Sequence, residues 1–136
     1  MSDIHLSGSC LCRSVAYEID GEMLYFNHCH CQRCRKATGT GHATNIIMKP
    51  SAARWTAGED LLRHYKVPEA ERFATSFCSE CGSLMPRIAP DLSFALVPAG
   101  TLDEDPGVTP ERRIFQDSRA SWSCEADDLP AFEQYP

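Results

Sequence analysis

The sequence of 136 residues contains no uninterrupted apolar run of the ~18 residues that a membrane-spanning helix requires. Residues 1–5 lack the cationic and apolar segments of a secretory signal. Tandem repeats, low-complexity tracts and Gly/Ser-rich linkers are also missing. These absences argue against a membrane partner and predict one compact domain, residues 1–136, in the reducing cytoplasm.

Basic residues are scarce as well. The chain has 13 Lys and Arg against 19 Asp and Glu, which gives a formal net charge of −6. A protein of this charge is poorly suited to the phosphate backbone of nucleic acids. The charge therefore argues against a nucleic-acid partner, and it leaves the oligomeric state open.

Helical periodicity is weak along most of the chain, whereas short runs of β-branched and aromatic residues are frequent. Strands are predicted at residues 14–19, 23–28, 43–48, 61–65, 72–77, 84–88 and 93–98. Asp20 and Gly21, between the first two runs, predict a hairpin turn, because a type I′ turn needs two residues with positive φ. Helical turns are expected only at residues 34–38 and in the acidic tail, 126–134. The fold class predicted is a mainly β, small antiparallel domain.

Cysteine, in contrast, is abundant, with 8 in the chain. Cys10 and Cys12 are two residues apart, a spacing that puts both side chains on one face of a strand. Cys78 and Cys81 have the spacing of a metal knuckle, and Gly82 follows where the backbone turns back. Together these four thiols predict a closed, structural zinc site that joins distant parts of the chain.

Cys29, Cys31 and Cys34 form a second cluster, one ligand short of a tetrahedron. Catalytic zinc sites keep three protein ligands and leave the fourth position to water or substrate. An open zinc of this kind could bind a substrate thiol and lower its pKa.

Polar residues around this cluster are candidates for further roles. His30 is the candidate proton acceptor, with His28 and His42 as alternatives that residue type does not separate. Basic side chains that could hold an anionic thiol, or simply form a solvated turn, follow in the same segment: Arg33, Arg35 and Lys36. The aromatic residues Phe77, Phe115 and Trp122 are predicted to lie in the core.

Several other interpretations of the cysteines stay open. Disulfides would need an oxidising compartment. His28 or His30 could complete the second cluster as another closed zinc site, and all seven clustered cysteines could serve one cluster or an iron–sulfur centre. Cys124 stands alone and is predicted to be a small buried hydrophobe.

Five segments carry a family resemblance: residues 8–12, 29–39, 77–83, 114–122 and 128–133. With seven cysteines at matching spacings, the chain resembles the glutathione-dependent formaldehyde-activating enzyme family, which includes centromere protein V. The resemblance implies a zinc-binding β-tent over residues 1–136, with two zinc ions per chain. One ion would sit on Cys10, Cys12, Cys78 and Cys81, and the other on the Cys29, Cys31 and Cys34 cluster.

The activity implied by the resemblance is the joining of glutathione and formaldehyde into S-(hydroxymethyl)glutathione, a carbon–sulfur lyase reaction in reverse. We therefore expect a zinc-dependent lyase whose partner is a small thiol or a thiol–aldehyde adduct. Cys29, Cys31, Cys34 and His30 are its expected catalytic residues. The alternative is a non-catalytic zinc-stapled module that binds protein or nucleic acid, and the coordination of the second metal would distinguish the two.

Overall fold

A computed structural model describes residues 3–123 and 129–136. The strands in this part of the chain are β1 (Asp3–Ser9), β2 (Ala16–Cys29), β3 (Ala43–Ala57), β4 (Leu62–Lys66), β5 (Ala74–Cys78), β6 (Leu84–Met85), β7 (Arg87–Ile88), β8 (Ala95–Pro98) and β9 (Arg112–Ile114). One α-helix, α1 (Gln32–Thr38), joins β2 to β3. Short 3-10 helices cover Glu59–Leu61, Ala99–Thr101 and Gln116–Ser118.

The strands form two sheets. One has the order β1-β2-β3-β8-β7, and the other has the order β4-β5-β6. All of these pairs are antiparallel, while β9 adds to β2 in parallel. The edge of β2 opposite β3 is shared, with β1 along residues 16–22 and β9 along residues 27–29. The prediction of a mainly β, largely antiparallel fold is confirmed.

Each predicted strand segment overlaps an observed strand, although 14–19 and 23–28 are parts of the single strand β2. The predicted hairpin at Asp20 and Gly21 is therefore wrong. Gly21 lies at a bulge between β2 and β3, with φ +155°. A Cβ there would lie 2.4 Å from the Lys49 carbonyl oxygen. Glycine, which has no Cβ, permits this close approach of the two backbones. Because a hairpin turn also favours glycine, the sequence alone does not distinguish the bulge from a turn.

The predicted helical turn at 34–38 is confirmed, and the helix begins slightly earlier, at Gln32. Of the second predicted helical segment, 126–134, residues 126–128 lie outside the described residues, and residues 129–134 contain no helix. No helix in the described ranges is long and apolar enough to cross a membrane.

The two faces of the larger sheet have different roles. Residues in register across β2, β3 and β8 are buried on one face: Phe26, Ile46 and Val97. The adjacent register row comprises Asn27, Asn45 and Pro98. Because side chains alternate along a strand, this row faces the other way. The first face builds the hydrophobic core, and the second supports the cysteine cleft described below.

The predicted core position of two aromatic residues is wrong. Phe115 and Trp122 are 62% and 66% exposed, while Phe77 is half-buried. Phe115 directly follows β9, which runs along an edge of the sheet instead of under it. Beyond this edge strand, more than half of the Phe115 side chain stays in contact with solvent.

Candidate metal centres

Four cysteines from distant parts of the chain lie together: Cys10, Cys12, Cys78 and Cys81. We call them the closed group. Cys10 and Cys12 lie in the turn between β1 and β2, not on a strand as the spacing predicted, and Arg13 N donates to Cys10 O at 3.0 Å. Cys78 ends β5, and Cys81 follows in the next turn. The ligand atoms of all four lie within 4.8 Å of one another. The turn thus brings the Cys10 and Cys12 side chains together, which was expected to result from their alternation on a strand.

Backbone N–H groups support two of these sulfurs. Val15 N donates to Cys10 Sγ and Glu80 N donates to Cys78 Sγ, both at 3.3 Å. Gly82, with φ +78°, closes the second turn through a 2.8 Å bond from its N–H to Cys78 O. The two N–H bonds to sulfur fix the positions of the Cys10 and Cys78 side chains.

The thiols of this group differ in acidity. Hydrogen bonds from the Ser83 hydroxyl and backbone lower the pKa of Cys81 to about 5. Burial raises the pKa of Cys78 to about 11. A buried thiolate at Cys78 is therefore costly unless a cation stands beside it.

The dimensions of the closed group fit zinc. Tetrahedral Zn–S bonds of about 2.3 Å place neighbouring sulfurs roughly 3.8 Å apart. The Cys10 and Cys12 sulfurs are 3.6 Å apart, and the Cys12 and Cys78 sulfurs are 3.9 Å apart. The donor set and its spacing are compatible with a closed, four-coordinate zinc site.

The second cluster is assembled where β2 gives way to α1. Cys29 ends β2, Cys31 is the N-cap of α1, and Cys34 lies in its first turn. Cys31 Sγ accepts a hydrogen bond from Cys34 N at 3.3 Å, so the helix start fixes this sulfur. The three sulfurs lie within 4.8 Å of one another, and no His, Asp or Glu among residues 3–123 and 129–136 joins them. The group thus offers three ligands.

The thiols of Cys29 and Cys34 differ in acidity. A hydrogen bond from the Cys34 thiol is the main cause that lowers the pKa of Cys29 to about 6. The same bond, together with burial, raises the pKa of Cys34. These shifts favour a thiolate at Cys29, and a cation beside it would stabilise that thiolate.

A cleft of about 490 Å³ opens over this cluster and contains all three cysteines in its wall. We call it the cysteine cleft. Its apolar wall residues are Ile47, Phe73, Leu96, Ile114 and Phe115, and its polar ones are Asn27, Gln32, Arg33, Asn45 and Ser118. The cleft is large enough for a small organic molecule.

Asn27 is a site residue that the sequence analysis missed. It is only 8% exposed, and its Oδ1 is buried without a hydrogen-bond partner among the described residues. Such an atom is costly unless a ligand or water satisfies it. Its position two residues before Cys29 on β2 was the available signal, because i and i+2 share a strand face.

The three candidate histidines, His28, His30 and His42, lie together. The ring centroids of His28 and His42 are 4.1 Å apart, and those of His30 and His42 are 5.0 Å apart. Thr44 Oγ1 links two of the rings, at 3.0 Å from His28 Nδ1 and 3.2 Å from His42 Nδ1. Burial lowers the pKa of both His28 and His30, which keeps these rings neutral at pH 7.

His30 is 4% exposed, and neither ring nitrogen has a hydrogen-bond partner among the described residues. It is not among the described residues that line the cysteine cleft. His42 instead lines an adjoining cleft together with Cys34. Of the basic residues Arg33, Arg35 and Lys36, Arg33 lines the cysteine cleft. Cys124 lies outside the described residues.

Comparison with known proteins identifies the family. The sequence model described as "Glutathione-dependent formaldehyde-activating enzyme" matches residues 5–118. The chain belongs to this family. A Halomonas elongata protein, provisionally named as a glutathione-dependent formaldehyde-activating enzyme, is 30% identical over 127 residues, covering 86% of this chain and 78% of the relative.

A solved structure is similar in fold. It is the crystal structure of a Rhodobacter sphaeroides protein, with a TM-score of 0.55 and 23% sequence identity. The match covers 79% of this chain and 98% of the other. At this identity, the likeness concerns the fold alone.

Proposed function

We propose that this member of the glutathione-dependent formaldehyde-activating family is a zinc-dependent carbon–sulfur lyase for a thiol–aldehyde adduct such as S-(hydroxymethyl)glutathione. One observation carries the proposal: the sulfurs of Cys29, Cys31 and Cys34 lie within 4.8 Å of one another, with no fourth ligand side chain among the described residues, in the wall of a cleft. The other four clustered cysteines would hold a second, structural zinc of the β-tent.

The donor sets fit zinc at both groups. Thiolates are soft ligands that zinc accepts in four-coordinate geometry. A zinc ion on the three cleft cysteines would offer a remaining position to the substrate sulfur and lower the pKa of that thiol.

The chain's own residues would orient the adduct. In the cleavage direction, the adduct hydroxyl loses its proton, the carbon–oxygen bond becomes a carbonyl, and the carbon–sulfur electron pair stays on sulfur. Asn27 Oδ1, buried and unpartnered in the cleft, would accept a hydrogen bond from that hydroxyl. The cation of Arg33, in the same wall, would hold a carboxylate of the thiol.

The proton acceptor remains a prediction. Burial lowers the pKa of His30 and so disfavours protonation of its ring, and the ring packs against His42 and not in the cysteine cleft wall. His42 lines the adjoining cleft with Cys34, which makes it the better placed of the candidates. Measuring the rate of carbon–sulfur cleavage by His30→Gln and by His42→Gln would distinguish the two candidates.

NMR exchange spectroscopy with glutathione and ¹³C-formaldehyde tests the activity. We expect the protein to accelerate exchange between free aldehyde and adduct. Cys34→Ser should abolish this acceleration, whereas the surface variant Arg54→Gln should retain it. Native mass spectrometry should find two zinc ions per chain. The proposal is contradicted if the wild-type protein leaves the exchange rate unchanged, or if Cys34→Ser accelerates exchange fully although it has lost the metal of the second cluster. Either result would favour a non-catalytic module.

A further inference from the structure

A second cleft, of about 280 Å³, adjoins the cysteine cleft. We call it the side cleft. The two share the wall residues Cys34, Asn45, Phe73 and Leu96. Its lining includes the apolar residues Leu84, Met85 and Pro98, together with polar residues such as Thr44 and Thr75. A one-carbon aldehyde would not fill this space, which leaves room beside Cys34 for a larger organic molecule.

Arg87 stands where the side cleft meets a neighbouring cleft, because it lines both. The chain passes from the smaller to the larger sheet between β6 and β7, across the buried Pro86, and Arg87 is the first residue after that crossing. It pairs with Leu96 of β8, so both side chains lie on the cleft face of the sheet. The fold therefore holds this cation where the two sheets meet.

The Arg87 guanidinium has no anionic partner. It is half-buried and lies 5.4 Å from the centre of the Phe94 ring, and it forms no hydrogen bond or ion pair within the described ranges. The described lining of the side cleft contains no Asp or Glu. Glu59 shares a neighbouring cleft with Arg87 but is not ion-paired to it. A partly buried cation without a counter-charge favours an anionic ligand.

A buried hydroxyl stands at the same meeting point. Ser76 is 4% exposed and, like Arg87, lines both the side cleft and the neighbouring one. Its Oγ lies 2.7 Å from His64 Nδ1, its cross-strand partner. When that nitrogen donates to Oγ, the Ser76 hydrogen is available to an acceptor in the cleft.

We propose that the side cleft binds an amphipathic carboxylate, with its carboxylate at Arg87 and Ser76 and its carbon chain directed along Phe73 and Leu96 toward Cys34. A guanidinium fork matches the two oxygens of a carboxylate, and the apolar residues of the wall can pack against a hydrocarbon chain. This site goes beyond the proposed lyase function, because it concerns binding alone and needs no turnover.

Titration of the ¹⁵N-labelled protein, at its native metal content, with octanoate tests the site. We expect saturable shifts of backbone amides along the cleft, including Thr75 and Leu96. 1-Octanol and octylamine, which keep the chain but lose the carboxylate, and acetate, which keeps the carboxylate but loses the chain, should each bind at least tenfold more weakly. Arg87→Gln should raise the octanoate Kd roughly ten- to hundredfold.

The matched control is Arg54→Gln, which removes an exposed arginine paired with Glu18 and should leave the Kd unchanged. Thermal unfolding checks that Arg87→Gln is folded, and the ligand comparison on wild-type protein decides the matter if it is not. The proposal is overturned if octanoate gives no saturable shifts, if octanol or acetate binds as tightly, or if folded Arg87→Gln binds octanoate normally. None of these results bears on carbon–sulfur cleavage, which is measured separately.

Discussion

The sulfurs of Cys12 and Cys78 lie 3.9 Å apart, although 66 positions separate the two residues in the chain. Cys12 belongs to the turn that follows β1, and Cys78 ends a strand of the other sheet. A metal at this point would therefore connect the two sheets. The second cluster spans only residues 29–34 and connects neighbouring segments.

This contrast predicts different effects of removing one ligand from each group. Cys78→Ser should be insoluble or lose ~3 kcal/mol or more of unfolding free energy, because a structural zinc contributes folding free energy directly. Cys34→Ser should lose the second metal and stay folded. Urea unfolding and metal analysis of both variants measure this. Equal unfolding of the two would contradict the division into a structural and an open site.

Low-molecular-weight thiols should bind at the second cluster. After cobalt replaces zinc, adding glutathione should change the sulfur-to-cobalt absorption bands and saturate at one thiol per chain, because a soft thiolate suits a three-sulfur site. S-Methylglutathione, which has no thiol proton to lose, is the matched control and should leave the spectrum unchanged. A spectrum indifferent to thiols, with cobalt present at the cluster, would refute this expectation.

Tyr17 should make stability depend on alkaline pH. Its ring is 1% exposed, its hydroxyl is 2.7 Å from Thr101 Oγ1, and burial raises its pKa to about 12. The unfolded value is about 10, so the folded state resists ionisation. This contribution, about 2 to 3 kcal/mol, is complete below pH 10 and is lost as the pH rises toward 12.

Tyr17→Phe should therefore flatten the decline in unfolding free energy between pH 10 and 12, as measured by urea unfolding. It should also lose about 1 kcal/mol at pH 7 with the hydrogen bond. Tyr65→Phe, at a position 56% exposed, is the control and should keep the wild-type slope. The same slope in both variants would mean that other groups cause the alkaline loss.

Gly21 should tolerate no side chain. An added Cβ would lie 2.4 Å from Lys49 O and 2.7 Å from Pro50 Cα, both backbone atoms that cannot easily move. Gly21→Ala should cost roughly 2 to 4 kcal/mol of unfolding free energy. Gly100→Ala, where no atom lies within 4 Å, should change it by less than about 0.5 kcal/mol. Chemical denaturation of both variants decides whether the bulge needs glycine.

The cysteine groups could be predicted from the sequence because each is built from close pairs whose spacing survives folding. Cys10 and Cys12 remain adjacent whether they lie on a strand or in a turn, so the group was recognised although its local structure was not. The bulge at Gly21 could not be separated from a hairpin, since both use glycine for a backbone feature. Only the partner strand, far away in sequence, distinguishes them.

The polar residues of the site were harder to predict. Asn27 is an ordinary alternating polar residue until β3 and β9 pair on either side of it and bury it. Arg87 lies within a predicted strand, but its missing counter-charge depends on the acidic residues that folding keeps away. Such features arise from tertiary packing and leave no local pattern.

The long strand β2 begins four residues after Cys12 and ends at Cys29. Its 14 residues correspond to roughly 45 Å of extended chain. The two cysteine groups therefore belong to different segments of the fold, and the open group offers three ligands where the closed group offers four. A metal held by fewer protein ligands should be removed more easily. A mild chelator should therefore empty the open group while the closed group stays filled, leaving a folded, half-loaded protein that metal alone refills.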